Sequence, residues 1–391
     1  MKITKVEIYQ LGTELYPRWR PVVCRIYTDA GIYGDGEAAL AANIGGIAAI
    51  DALRDFSEFI IGLDPLEHEV IWDLLYRGNW GPQNGGPVIY GAISAIDTAL
   101  WDIKGKYYRV PVYSLLGGKR RDDLRCYASQ LQFGWRKEEP IRTPEDYARV
   151  AKLAVEDGYD AVKIDFLQYN ESGERFSADE RTGFLTPAVR NVFASRLAAV
   201  REAIGPEVDI MVENHGYTDA QSVLQIAKLC EGYDVLCLEE PTAATPELTA
   251  YVASRTNIPI ATGERIYSRW QFAPYLEQHS VQLLQPDIGN CGGITEIKKI
   301  ADMAYVYDVG IQCHVGGTPL AVAAALQVEA VIPNFVIHEH HEMYLLSYTR
   351  ELCVYDDQPV RGRFWIPDRP GIGNEFSEKA LQKAARKEVV Q

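Results

Sequence analysis

From about residue 124 the chain alternates. Short runs of β-branched and aliphatic residues are separated by stretches with helical apolar spacing. The candidate strands are 124–129, 161–166, 208–214, 235–239, 258–263, 283–286, 310–314 and 334–337, with helical spacing over 144–156, 194–204, 219–230 and 294–307. A helix between two strands returns the chain to the same edge, so such strands run parallel. Eight of them predict a (β/α)₈ barrel. An open doubly wound sheet is the rival, but no GxGxxG follows an early strand. Thr143 followed by Pro144 predicts the start of the first helix.

Parallel strands bring their carboxyl ends to one rim. Three successive runs are closed by Glu213, Glu239 and Glu264, spaced 26 and 25 residues apart. Three converging carboxylates repel unless a cation sits among them. Oxygen-only ligation suits one hard divalent ion, Mg²⁺ before Mn²⁺.

Residues 1–40 read as antiparallel β and 44–106 as helical, so the first part is α+β. The expected division is an α+β domain over 1–120, a barrel over 121–360, and a C-terminal segment, 361–391, packing back on the first domain. Residues 167–190 are long and polar for a loop, and read as a lid. The net charge of -15 argues against nucleic acid and anionic membrane as partners. No run approaches the length of a membrane helix, and the N-terminus lacks the apolar core of a signal peptide. Seven scattered cysteines without a CxxC pair read as reduced thiols of a cytoplasmic protein.

Other residues at the strand ends carry chemistry. Lys163 and Asp165 are two apart and share a strand face pointing inward. They are either a structural ion pair or an ammonium set against a substrate carboxylate. His215, two residues past Glu213, is a candidate base or acid, with a fourth ligand as the alternative. Asp287 and His314 end neighbouring strands, where a carboxylate would fix an imidazole tautomer. A buried structural pair is the other reading. In His338-Glu339-His340-His341-Glu342, neighbours on an extended chain point opposite ways. A transition-metal cluster is therefore discounted, and Glu339 alone is expected inside. Gly289-Asn290-Cys291-Gly292-Gly293 reads as a tight βα turn rather than a phosphate loop.

With Ala95-Ile96-Asp97-Thr98-Ala99-Leu100-Trp101-Asp102, Leu115-Leu116-Gly117-Gly118, Glu239-Glu240-Pro241, Gly263-Glu264, Pro286-Asp287, Cys291-Gly292-Gly293-Ile294-Thr295 and His314, the chain resembles the enolase superfamily, mandelate racemase subgroup. The resemblance implies a capping domain over a modified barrel, Mg²⁺ on Glu213, Glu239 and Glu264, and abstraction of the proton α to a carboxylate. Lys163 would stabilise the enediolate, and Glu339 would serve as a neutral donor. Two positions depart from the subgroup pattern. Glu213 stands where Asp is usual, and Asp165 replaces the second Lys of the racemase Lys-x-Lys. His215 instead matches the His of acid-sugar dehydratases of the galactonate dehydratase kind. The implied activity is dehydration of an aldonate or aldarate to a 2-keto-3-deoxy acid by His215 and by His314 with Asp287. Racemisation or epimerisation is the alternative, and a non-catalytic acid-sugar-binding relative is a third reading. Asp165, Arg18, Arg20 and Trp80 are the expected substrate contacts, with Arg18 or Arg20 on a distal carboxylate. A homo-oligomer is expected.

Overall fold

The computed structural model describes residues 1–12, 20–39, 45–78 and 80–391. Antiparallel strands β1 (Ile3–Leu11), β2 (Val22–Thr28) and β3 (Tyr33–Ala38) carry helices Gly46–Ile60, His68–Arg77 and Gly86–Tyr108 on one face. The last helix lies directly on β3. A Cβ at Gly36 would stand 1.8 Å from the Ala95 carbonyl oxygen, so only glycine allows that approach.

Eight strands then run parallel: β4 (Asp123–Ser129), β5 (Ala161–Ile164), β6 (Asp209–Glu213), β7 (Cys237–Glu239), β8 (Ile260–Thr262), β9 (Leu283–Leu284), β10 (Gly310–Ile311) and β11 (His338–His341). Each pairs with the next as far as β10, and β11 pairs with β4. Ile311 closes the ring, donating its N–H to Asn334 O (2.8 Å) and accepting from Val336 N (3.0 Å). The result is a modified (β/α)₈ barrel behind an N-terminal α+β domain. The first barrel helix, Pro144–Glu156, starts as expected: Thr143 and Asp146 form a reciprocal capping box.

Beyond the barrel, β12 (Arg363–Trp365) adds antiparallel to β4, and β13 (Ala384–Val390) pairs with β1 in the first sheet, Val6 opposite Val390. No helix among the described residues is long and apolar enough to cross a membrane. All seven cysteines are free and buried.

One strand falls elsewhere than expected. The apolar 334–337 stretch only makes the closing contacts, and the eighth strand is the histidine-rich segment His338–His341. Aliphatic content marked the wrong residues, because an inner barrel strand near the site can be polar. The Gly289–Gly293 segment is a tight turn as read. Asp97 from the N-terminal domain accepts from Thr295 N and Oγ1 at the start of the following helix. The long 167–186 segment is folded rather than loose. It contains a hairpin bridge between Tyr169 and Arg175 and the short helix Ala178–Arg181, with Phe176 and Leu185 buried.

Candidate active site

The barrel interior is built in layers. Tyr127, Ala161, Met211, Cys237, Ala261, Leu283 and Ile337 form an apolar plug inside the strands. Two residues further along, the same face is polar on six of these seven strands, with Ser129, Lys163, Glu213, Glu239, Gln285 and Glu339, and carries Gly263 on the other. The polar layer is the floor of the site.

Lys163 lies at its centre, fully buried. Its Nζ is 2.5 Å from Glu239 Oε1, 2.9 Å from Glu339 Oε1 and 3.2 Å from Glu213 Oε2. Burial works against its charge, but Glu239, Glu339 and Glu213 hold the ammonium well above its ordinary range. Glu213, Glu239 and Glu264 each bring an oxygen within 4.8 Å of the others. Glu213 is folded back, its Oε1 accepting from Asn214 N (3.0 Å) and His215 N (2.8 Å). Its buried Oε2 has the Lys163 ammonium at 3.2 Å but no hydrogen bond of its own. Burial and the Glu213 charge raise Glu239 well above the carboxylate range. Glu213 is lowered, burial opposing and His215 and Lys163 favouring its charge. An all-oxygen cage of mutually repelling carboxylates, one oxygen of which makes no hydrogen bond, fits a hard divalent cation.

Two imidazoles flank the cage, and their surroundings differ. His314 Nδ1 is 2.6 Å from Asp287 Oδ2 and its Nε2 is 3.1 Å from Glu264 Oε2. Nδ1 hydrogen-bonds Asp287 and Nε2 stands at ion-pair distance from Glu264, a setting that favours the imidazolium. Burial lowers its pKa, but Glu264, Glu339 and Asp287 push it up to about 10. His215 Nδ1 is 3.0 Å from Asp165 Oδ2, while its Nε2 faces Gln130 Nε2 at 3.3 Å. The Gln130 orientation is fixed from the backbone. Asp165 N donates to Gln132 Oε1 (3.2 Å), Gln132 Nε2 donates to Gln130 Oε1, and the remaining amide group donates to His215. His215 Nε2 is therefore an acceptor, its lone pair directed at the Gln130 amide. The charges around the ring pull the other way: burial lowers its pKa, but Glu213 and Asp165 push it up to about 9. The amide chain accommodates the neutral ring, whereas the neighbouring carboxylates favour its cation.

Several sequence expectations change. Asp165, expected as a substrate contact, has its oxygens on His215 Nδ1 and Leu167 N (2.8 Å). Glu339 is not the only inward residue of its strand. The alternation that excludes His338 and His340 also puts His341 inside, its Nε2 3.2 Å from Glu339 Oε1 and its ring 6.3 Å from that of His314. His338 points away to Glu329 (2.6 Å) and His340 to Tyr159 (2.8 Å). Nor is Glu339 a neutral donor here. Burial opposes its charge, but Lys163, His341 and His314 hold it well below the carboxylate range, and Ser129 Oγ (2.7 Å) and Val315 N (3.0 Å) donate to it. Trp80 is 90% exposed, in a cleft with Phe59 and Pro82 away from these residues, and Arg20 is exposed on the surface. Arg18 lies outside the described residues. Sequence reading missed Gln130, Gln132, Gln285 and His341. Only His341 had a usable signal, its i+2 relation to Glu339.

Comparison with known proteins agrees with this geometry. Residues 146–380 match the enolase C-terminal domain-like family, and residues 10–117 match the mandelate racemase / muconate lactonizing enzyme N-terminal domain. The chain is 35% identical to the D-galactonate dehydratase of Variovorax paradoxus, over 99% of this chain and 95% of the relative. It is 36% identical to that of Pectobacterium atrosepticum, over 97% and 94%. A solved structure of a member of the enolase superfamily from Salmonella Typhimurium superposes with a TM-score of 0.97 at 44% identity, covering 100% of both chains. The chain belongs to the enolase superfamily, in the mandelate racemase / muconate lactonizing enzyme family.

Proposed function

We propose that the protein is a Mg²⁺-dependent acid-sugar dehydratase that converts an aldonate or aldarate to a 2-keto-3-deoxy acid. The observation that carries this reading is the unlike pair of imidazoles. His215 follows the third barrel strand and His314 the seventh. Strands four apart in a closed ring of eight face each other, so the two rings approach a bound substrate from opposite sides. One offers a lone pair, and the other is held as a cation by Asp287 and Glu264. A base and an acid on opposite faces are what anti elimination requires.

The proton on C2 of an acid sugar is weakly acidic, because losing it creates a dianionic enediolate. A Mg²⁺ ion held by Glu213, Glu239 and Glu264 would supply electrophilic stabilisation of that charge. Lys163, buried in the same layer, adds a fixed ammonium beside it. His215 Nε2 takes the C2 proton while Asp165 keeps the ring oriented. The C3–O bond then breaks, and His314 Nε2 gives its proton to the departing hydroxyl, which leaves as water. The resulting enol tautomerises to the keto acid. The D-galactonate dehydratases that the chain resembles support the substrate class.

The test is keto-acid formation across an acid-sugar library, with proton NMR in D₂O. Dehydration consumes the substrate, whereas racemisation, which opposed imidazoles would also serve, returns α-deuterated substrate. His215→Asn and His314→Asn should each abolish keto acid while Mg²⁺ binding persists. Normal turnover in either variant removes that residue from the scheme.

A further inference from the structure

The scheme above leaves one cation beside the site unused. Arg181 ends the short helix Ala178–Arg181, between β5 and helix Pro187–Ile204. Only 9% of it is exposed, yet among the described residues its guanidinium has no hydrogen bond and no ion pair, and its enclosed Nε lacks an acceptor. The other deeply buried arginines have partners for their terminal nitrogens, although Arg196 Nε also lacks an acceptor. Arg25 holds Asp35 and Glu378, and Arg196 donates to the carbonyls of Phe166, Tyr169 and Arg142.

The guanidinium lies over the Tyr217 ring at 4.2 Å, and that ring is 5.8 Å from the His215 ring. Arg181 therefore stands one side chain away from the proposed base. Asp165 is the carboxylate whose field it feels most, but both Asp165 oxygens are engaged elsewhere. The segment is fixed in place. Ser177 caps the helix, and Gly183 N donates at 2.7 Å to Asp219, the residue that caps the helix after His215. A buried guanidinium without a counter-charge is costly. Its planar fork matches a carboxylate with two parallel hydrogen bonds.

We propose that Arg181 anchors a second carboxylate, at the end of the substrate remote from the reacting one, so that the enzyme prefers aldarates to the corresponding aldonates. This rests on the dehydratase reading for which end reacts.

Matched pairs that differ only at C6 provide the test: galactarate and galactonate, glucarate and gluconate, mannarate and mannonate. Calorimetric titration of the Mg²⁺-loaded His314→Asn chain reads binding with turnover stopped. In one pair the aldarate should bind about a hundredfold tighter, as expected for a desolvated charge pair, and Arg181→Met should erase that preference while Arg181→Lys keeps part of it. Thermal unfolding gives a readout that a structural role would move in the opposite direction. Removing an unpaired buried charge should raise the Tm of the free protein. No aldarate preference in any pair, a preference that survives in Arg181→Met, or a lowered Tm in that variant overturns the proposal. Keto-acid assays of the wild-type chain separate the two readings. Arg181-dependent aldarate binding without keto acid refutes dehydration and leaves the anchor standing. Keto acid from aldonates alone, indifferent to Arg181, does the reverse.

Discussion

Replacing Lys163 by methionine keeps most of the side-chain volume and removes the charge at the centre of the polar layer. Contacts of 2.5, 2.9 and 3.2 Å tie Nζ to Glu239, Glu339 and Glu213. At an effective dielectric of about 20, each is worth roughly 5–7 kcal/mol of gross attraction. Desolvation of the charged groups cancels most of this, and the usual cost of removing one partner of a buried pair is about 3–5 kcal/mol. The pH dependence has a definite sign. Without the ammonium, the clustered carboxylates have folded pKa values raised above their unfolded ones. Their neutral forms are then favoured in the fold, and stability is lost as pH rises through those raised values. The gap between wild type and Lys163→Met should thus widen as pH rises and reach its full size by about pH 8. Urea unfolding in chelator across this range measures it. Excess Mg²⁺ should restore more stability to the variant than to wild type, because an ion bound only to the folded chain stabilises it. Equal stability at pH 8, or a loss independent of pH, would refute the view that Lys163 compensates these glutamates.

Three further outcomes are expected. Asp287→Asn leaves His314 Nδ1 without its carboxylate and should lower kcat by about 10³–10⁴-fold with little change in substrate affinity, read by steady-state kinetics and calorimetry. Gln132→Leu frees Gln130 to flip and should lower kcat/KM about tenfold, the worth of one hydrogen bond, without altering the folded far-UV spectrum. For His340, burial and then His338 and His341 lower the pKa to about 3. The unfolded chain takes up that proton first, so stability is lost as pH falls from about 6.5 towards 3, by up to about 1.4 kcal/mol per pH unit. His340→Phe should flatten that limb of the urea midpoint while weakening the protein at neutral pH through loss of the Tyr159 hydrogen bond.

What was legible in the sequence follows from periodicity. Glu213, Glu239 and Glu264 stand out because strand and loop lengths repeat, and the (β/α)₈ alternation carries the same signal. The Asp287–His314 pairing is visible because both residues close strands. The amides Gln130, Gln132 and Gln285 leave no trace in composition or spacing. Their roles arise only where Gln132 meets Asp165 N and Gln285 reaches Glu239 (2.6 Å) across the barrel. The eighth strand was misplaced because an apolar run outweighed a polar one that faces the site. Arg181 was hidden in a segment read as loop. That its guanidinium has no hydrogen bond or ion pair among the described residues is a property of packing and has no sequence signature.

The pairing of β13 with β1, Val390 against Val6, sets an order on biosynthesis. The opening strand of the chain keeps an open edge until residue 390 has emerged from the ribosome. Through that interval the barrel is being made while its N-terminal neighbour remains incomplete. A nascent chain would expose a row of unmet backbone donors and acceptors at that edge, which makes the wait before the last strand arrives the period when a chaperone is most useful to this fold.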